Sequence, residues 1–216
     1  MKITSIFIFC FSLFSVFSWG QDSLRAARGY VPNVMVGVDV LNAGIGFFSD
    51  RKMVQGFVSS KIRKDIHAVV ELGYDKNVYR KNGYDARING WFLKAGGFYM
   101  LSRDSENDFN GFYAGPKIGA SFYSQTYAQV PVRGRQSGDA YLSFDASSQS
   151  SYWLEAGIGG RVQLFESPFY IDVGVQPRYL LYTTKQSGMQ PMVVPGFGKS
   201  SGRFAVGFAW NVAYRF

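Results

Sequence analysis

The sequence predicts an all-β protein, an eight-stranded antiparallel up-and-down transmembrane β-barrel. Three observations support this fold class: eight segments alternate large apolar residues with small or polar ones, the connections between them alternate between long and short, and the polar faces carry charges of both signs. Such alternation is typical of strands that expose one face to lipid and the other to a lumen. The predicted elements are justified below in chain order.

The N-terminus predicts an export signal. Lys2 precedes an apolar run that is too short to span a bilayer as a helix, and small residues follow at Ser18 and Gly20. We therefore expect a cleaved signal peptide at 1–20, a periplasmic N-terminal segment at 21–32 and a barrel domain at 33–216. An uncleaved anchoring helix is the alternative, and the short length of the run argues against it.

The strands are predicted from residue period. The last one is the clearest, because Phe204, Phe208 and Trp210 fall on one face while Gly207 and Asn211 fall on the other. The face of the second predicted strand is ambiguous. The eight predicted strands are 34–41, 53–62, 66–75, 88–101, 111–123, 152–165, 168–182 and 203–216.

The apolar faces predict contact with lipid. Aromatic side chains on these faces are expected to include interfacial anchors; they are Trp91, Tyr99, Phe112, Phe122, Phe169, Tyr179, Phe208, Trp210 and Tyr214. A soluble lipocalin-like barrel is the structural alternative, because alternation alone does not say which face is outside. Such a barrel would turn its apolar residues inward and its charges outward.

The connections sort by length. The predicted long ones are 42–52, 76–87, 124–151 and 183–202, and the short ones are 63–65, 102–110 and 166–167. Outer-membrane barrels have short periplasmic turns and long extracellular loops. A periplasmic N-terminus would place every short link in the periplasm and every long link outside.

The polar faces predict a set of interior charges. If Glu166 and Ser167 form a hairpin turn, Arg161 lies opposite Asp172 and Glu155 lies opposite Arg178, so two opposite-charge pairs face each other. We define the lumen charge network as Glu71, Lys94, Lys117, Glu155, Arg161, Asp172, Arg178 and Arg215. Eight strands leave room only for side chains, so we expect a packed interior in place of a channel.

The sequence contains few residues of the types that catalysis or cofactor binding requires. The one cysteine, Cys10, lies in the predicted signal, and the one histidine, His67, lies beside a predicted periplasmic turn, where we expect a rim or interior histidine with a hydrogen-bonding role. Gly157, Gly159 and Gly160 lie within a strand, so they do not predict a nucleotide-binding loop. No enzymatic activity, metal, cofactor or nucleic-acid partner is expected.

The charge balance favours an anionic membrane surface. The formal net charge is +8, and basic residues occur in the predicted outer loops; they are Arg51, Lys52, Arg80, Lys81, Arg133, Arg135, Lys185 and Lys199. We expect outer-membrane lipids and the phosphates of lipopolysaccharide as neighbours, although solvated loops explain the same charges. The acidic residues Asp104, Glu106 and Asp108 are more simply a polar turn than a calcium site.

Several segments resemble a family of small outer-membrane β-barrels from Bacteroidota without assigned activity. They are Val38-Asp39-Val40-Leu41-Asn42, Phe48-Ser49-Asp50-Arg51-Lys52, Val70-Glu71-Leu72-Gly73-Tyr74 and Tyr214-Arg215-Phe216. The architecture is similar to OmpX, to the membrane part of OmpA and to PorT-like barrels associated with secretion. The resemblance implies that Phe216 is the signal read by the barrel assembly machinery, and it brings no other functional residues.

The expected function is therefore a non-enzymatic protein of the outer membrane of a Gram-negative bacterium. It would act as a structural or interaction scaffold whose extracellular loops meet protein partners. An accessory subunit of a secretion or assembly complex is the first alternative. An envelope-lipid-modifying enzyme that uses His67 and a narrow pore are the others.

Overall fold

Eight strands close into one antiparallel barrel in a computed structural model, which describes residues 33–102, 104, 107–132 and 140–216. The predicted signal peptide at 1–20 and the predicted segment at 21–32 lie outside the described residues. Neighbours in sequence are neighbours in the barrel, and the first strand pairs with the last. The predicted fold class is confirmed.

The elements have the following bounds. The barrel strands are β1 (Val34–Asp39), β2 (Arg51–Arg63), β3 (Ile66–Lys81), β4 (Tyr84–Met100), β5 (Gly111–Val132), β6 (Ala140–Gln163), β7 (Phe169–Thr183) and β10 (Phe204–Arg215). A helix, α1 (Val40–Phe48), follows β1, and two short strands, β8 (Val193–Val194) and β9 (Gly198–Lys199), lie between β7 and β10. We call the end where β1 begins the inner end and the opposite end the outer end. No helix within the described part of the chain is long and apolar enough to cross a bilayer.

The exterior of the barrel is apolar and the interior is polar. All nine aromatic residues that the sequence assigned to the lipid face are exposed on the outside. Glu71, Lys94, Glu155 and Asp172 are buried inside. This distribution is the reverse of a soluble lipocalin-like barrel and matches a barrel with lipid around it. The ambiguous second strand is also settled, because Met53, Gln55 and Phe57 are buried while Val54 is exposed.

The register predicted for the sixth and seventh strands is observed. Arg161 pairs with Asp172 and Glu155 pairs with Arg178 across β6 and β7. The backbone N–H of Leu164 donates to the Phe169 carbonyl at 2.8 Å, so the turn between them is longer than the predicted two residues but keeps the same register.

Two predicted boundaries are wrong at the outer end. The first strand ends at Asp39 and not at residue 41, because the Asp39 carboxylate accepts the backbone N–H of Asn42 at 3.1 Å and caps α1. The predicted loop 76–87 is a two-residue turn. Asn82 and Gly83 have φ values of 55° and 82°, which suits the tight hairpin turns that require positive φ.

The other two predicted long loops are also altered. Much of the predicted loop 124–151 is strand, since β5 continues to Val132 and β6 begins at Ala140. The predicted loop 183–202 contains β8 and β9, and its apolar residues Val193, Val194 and Phe197 are buried. The lengths of the connections therefore predicted that these segments lie at one end of the barrel. They did not show that two of the segments extend the barrel wall and that one enters the lumen.

Candidate functional site: the barrel lumen

Four charged side chains meet at the centre of the lumen. Register aligns them, because Glu71 on β3 lies opposite Lys94 on β4, and Lys117 on β5 lies opposite Glu155 on β6. Lys94 Nζ lies 2.9 Å from Glu71 Oε2 and 3.2 Å from Glu155 Oε2. Lys117 Nζ lies 2.5 Å from Glu71 Oε1 and 2.9 Å from Glu155 Oε1. Each ammonium thus bridges both carboxylates.

Arg178 and two amides extend this cluster. Arg178 Nε donates to Glu155 Oε2 at 2.8 Å and Arg178 Nη2 donates to Gln176 Oε1 at 2.5 Å. Gln55 Nε2 donates to Glu71 Oε2 at 2.8 Å. Three buried cations therefore share two buried carboxylates, and their close packing supplies the partners that buried charges require.

Arg161 and Asp172 form a second cluster nearer the inner end. Arg161 Nε donates to Asp172 Oδ2 at 2.8 Å, and Nη2 lies 2.8 Å from the same oxygen. Tyr113 Oη donates to Asp172 Oδ1 at 2.8 Å, and Asn211 Nδ2 donates to the same oxygen at 3.2 Å. The Arg161 guanidinium also lies 5.3 Å from the centre of the Phe98 ring, within cation–π range.

Arg215 is placed apart from the other members of the lumen charge network. It is half-buried at the inner end, with its guanidinium 4.3 Å from the centre of the Phe109 ring. Its Nη2 donates to Asn33 Oδ1 at 3.1 Å. Within the described residues it makes no ion pair with the network, because β10 carries it below the level of the carboxylates. The next residue, Phe216, is exposed, and its backbone N–H donates to the Val34 carbonyl at 2.9 Å.

The connection between β4 and β5 fills the inner mouth. Phe109 is buried among Met35, Phe98 and Tyr170. Asn107 Nδ2 donates to Gln163 Oε1 at 2.6 Å and to Tyr170 Oη at 2.8 Å. The described residues 107–110 of the predicted polar turn thus enter the barrel at its inner end, and we call them, with the buried side chains packed around Phe109, the inner plug.

His67 lies in this inner plug. Its ring stacks on Phe98 with centroids 4.9 Å apart and meets Phe109 edge-on at 5.1 Å. The ring is fully buried, and within the described chain neither of its nitrogens has a hydrogen-bond partner. The interior position agrees with the sequence prediction, but the expected hydrogen bond is not seen. A general base must lie within hydrogen-bond reach of the proton that it removes. The His67 ring is instead surrounded by aromatic side chains.

The connection between β7 and β10 fills the outer mouth, and we call residues 184–203 the outer plug. Val193, Val194 and Phe197 pack against Phe92 and Trp153 on the barrel wall. Arg178 Nη1 donates to the Phe197 carbonyl at 3.0 Å, which ties the outer plug to the charged centre. A Cβ atom at Gly196 would overlap the Phe92 ring, so glycine is needed at this close approach.

The basic residues of the outer end are partly paired. Arg51 Nη2 lies 2.7 Å from Asp75 Oδ2, which turns this arginine toward the lumen. Arg80 Nε lies 3.4 Å from Asp85 Oδ2 across the hairpin between β3 and β4. Arg133 and Arg135 lie outside the described residues.

A small cavity lies between the inner and outer ends of the lumen. A cavity of about 30 Å³ is lined by both clusters, including Glu71, Lys117, Arg161 and Asn211. That volume suits about one water molecule. Arg161 Nη1 and Asn211 Oδ1 lack a partner within the described protein, so they would supply a donor and an acceptor to such a water. No group of residues suited to a metal ion occurs in the described ranges.

The outer plug is the feature that sequence reasoning missed. The signal available was the run Met192-Val193-Val194, which is apolar and flanked by Pro191 and Pro195 in an otherwise polar loop. An apolar run inside a loop predicts a buried segment, because a solvated loop gains nothing from it.

Comparisons with known proteins give a family and two related architectures. The model of one protein family, described as "Domain of unknown function (DUF6048)", matches residues 1–216. No curated protein sequence matches the chain. The chain is similar to the N-terminal β-barrel domain of OprF from Pseudomonas aeruginosa, with 11% identity, a TM-score of 0.35 and coverage of 86% of this chain and 100% of that chain. It is also similar to Neisserial surface protein A (NspA), with 13% identity, a TM-score of 0.33 and coverage of 86% and 96%. At these TM-scores the fold assignment stands on the strand pairing of the chain itself.

Proposed function

Because the chain belongs to the DUF6048 family, whose description names no activity, we propose a function from its own geometry: a non-enzymatic outer-membrane scaffold that presents its outer end to other molecules. The observation that carries the proposal is the filled lumen. Both mouths are plugged by the chain's own segments, and the charged centre is paired within itself. A packed interior of this kind supports a rigid wall, and it is the interior expected of a scaffold.

The outer end supplies the surface for interaction. Residues 140–148 of β6 extend beyond the barrel wall, and Tyr141 and Leu142 on this extension are more than half exposed. β6 pairs with β7 only from Ser151 inward, so the far side of the extension is a strand edge outside the barrel ladder, on which the Asp145 carbonyl accepts Gln186 Nε2 at 2.7 Å. A strand edge of this kind is a template for pairing with another chain. We place the protein partners of the scaffold here.

The same edge favours one second candidate, an accessory subunit of a secretion or assembly complex. Affinity capture from crosslinked cells distinguishes the two functions. A stable complex that is lost when residues 127–147, which include most of this extension, are replaced by a tight turn would favour the subunit. Capture that is unchanged by this replacement would contradict a role for the extension.

The cellular setting is part of the proposal. A cleaved leader at 1–20 and a periplasmic segment at 21–32 would deliver the barrel to the outer membrane of a Gram-negative bacterium. There the basic residues Lys52, Lys81, Lys185 and Lys199 would face lipopolysaccharide phosphates. Fractionation tests this directly: we expect recovery in outer-membrane fractions with a heat-dependent shift on gels. Recovery in the soluble periplasm would contradict it.

Phe216 supports the proposed assembly route. Its side chain is exposed at the end of β10 and contacts only its own neighbour Tyr214 among aromatic rings of the described residues, at 4.9 Å. We therefore expect Phe216→Ala, which keeps the backbone hydrogen bond to Val34, to reduce the amount of barrel assembled in cells while leaving the unfolding of the purified, refolded protein unchanged. Equal assembly of the Phe216→Ala and wild-type chains would remove Phe216 as the assembly signal.

A further inference from the structure

The barrel wall has a gap in its outer half. β1 pairs with β10 only from Met35 to Asp39 and with β2 only from Val34 to Val38. Beyond these points β10 and β2 continue toward the outer end, paired only on their far sides with β7 and β3. Residues 204–210 of β10 and 51–55 of β2 therefore face each other, and no strand of the described residues lies between them. We call this gap the seam.

Helix α1 lies where the missing strand would be. It packs beside both β2 and β10. Asn42 Nδ2 donates to the Phe208 carbonyl at 3.1 Å, so the helix satisfies a backbone acceptor on the unpaired edge of β10. Open sheet edges are not tolerated in contact with lipid unless their polar groups are covered. α1 therefore closes the seam against its surroundings.

The composition of α1 favours apolar surroundings. The helix contains no charged residue and has no buried residue. Phe47 and Phe48 are 85% and 94% exposed, the least covered apolar side chains near the seam. Gly44 and Gly46 weaken the helix, which therefore needs external stabilisation. Water would oppose this exposure, whereas hydrocarbon favours it.

The apolar surface of α1 continues into a groove on the barrel exterior. Phe112, Gly160, Val173 and Trp210 form one outward-facing row across four strands, since they are successive register partners. Gly160 leaves a gap in this row, and the resulting groove of about 450 Å³ extends to Leu41 on α1. Its lining is almost wholly apolar, and it is continuous with the lipid-facing band described above.

We propose that α1 is embedded in membrane hydrocarbon as a lateral cover of the seam, and that the adjoining groove binds an acyl chain of a surrounding bilayer lipid. Continuity with the apolar band identifies the occupant, since a chain that lies along this band meets only hydrocarbon surfaces. The inference goes beyond the scaffold function. If the barrel fractionates with the outer membrane but α1 proves to be in water, only this inference fails.

The position of α1 is tested with nitroxide labels. Phe47→Cys and the control Phe165→Cys are each made with Cys10→Ser, labelled and refolded into phosphatidylcholine vesicles. Phe165 is a matched control, because it is also a phenylalanine, is 92% exposed and lies in the turn at the inner end. We expect the label at 47 to collide preferentially with oxygen and the label at 165 to collide preferentially with a water-soluble nickel chelate. Equal nickel access at both positions would overturn the embedding of α1.

The groove is tested by filling it. A Cβ atom at Gly160 meets Phe112 ring atoms at 3.3 Å, so Gly160→Phe would occupy the groove after a small shift of that ring. Ala156→Phe, which is outward-facing on the same strand and outside the groove, is the control. By native mass spectrometry from phosphatidylcholine, we expect wild type and the control to retain a bound lipid that Gly160→Phe loses. Retention by Gly160→Phe, or absence of bound lipid from wild type, would overturn the acyl-chain site.

Discussion

Glu155 is the position where a single change tests the charged centre most severely. Its carboxylate lies within 3.2 Å of Lys94, Lys117 and Arg178, and it is the one ion-pair partner of Arg178 in the described structure. Glu155→Gln keeps the shape of the side chain and removes the charge, so Lys94 and Lys117 would keep only Glu71 and Arg178 would lose its ion-pair partner. Breaking a buried ion pair by removing one partner costs about 3–5 kcal/mol.

That loss corresponds to roughly a 10²- to 4 × 10³-fold change in the folding equilibrium constant, because each 1.4 kcal/mol is about tenfold. We would measure it by urea unfolding of the refolded barrel in lipid vesicles, following the heat-dependent gel shift. Glu166→Gln, on the exposed inner turn, is the matched control and should stay within about 0.5 kcal/mol of wild type.

The double variant Glu155→Gln with Arg178→Gln separates charge from packing. It removes one charge of each sign, so we expect it to recover part of the stability lost in Glu155→Gln. A Glu155→Gln barrel as stable as the Glu166→Gln control would refute the claim that the lumen is held by desolvated charge pairs.

Two further changes test the plugs and the wall. Phe197→Ala should lower stability by about 3–5 kcal/mol because it empties a buried aromatic site in the outer plug, whereas Phe165→Ala on the exposed turn should have almost no effect; equal urea midpoints would show that the plug does not pack. Gly115→Ala should cost about 1–3 kcal/mol because its Cβ would overlap the Gly97 carbonyl oxygen. Its register partner Gly157 is the control, since a Cβ there meets only the end of the Lys117 side chain, at 3.2 Å. Equal thermal stability of the two glycine variants would contradict the close approach of β4 and β5.

The two-residue alternation of side chains and the register of the strands predicted the barrel wall well. Alternation along β10 and β3 assigned the outward and inward faces, because a period of two leaves no choice once one face is known. One assumed turn near Glu166 was sufficient to place Arg161 opposite Asp172, since every later pair follows from the first. These are local consequences of strand geometry.

The features that local pattern did not predict depend on tertiary contacts. Alternation continues through Val40, yet the cap supplied by Asp39 begins a helix there. The burial of Phe197 depends on Trp153 and Arg178, which are distant in sequence, so a loop count could not reveal it. Arg215 has the inward-facing register of the charged residues, but its height along the barrel separates it from them.

The filled lumen is the central claim, and electrical conductance in planar lipid bilayers tests it most directly. The refolded chain should insert without producing a steady conductance, because the inner plug, the paired charges and the outer plug block the same path in series. Stable, stepwise conductance from the wild-type barrel would contradict this structure of the lumen and would favour a pore.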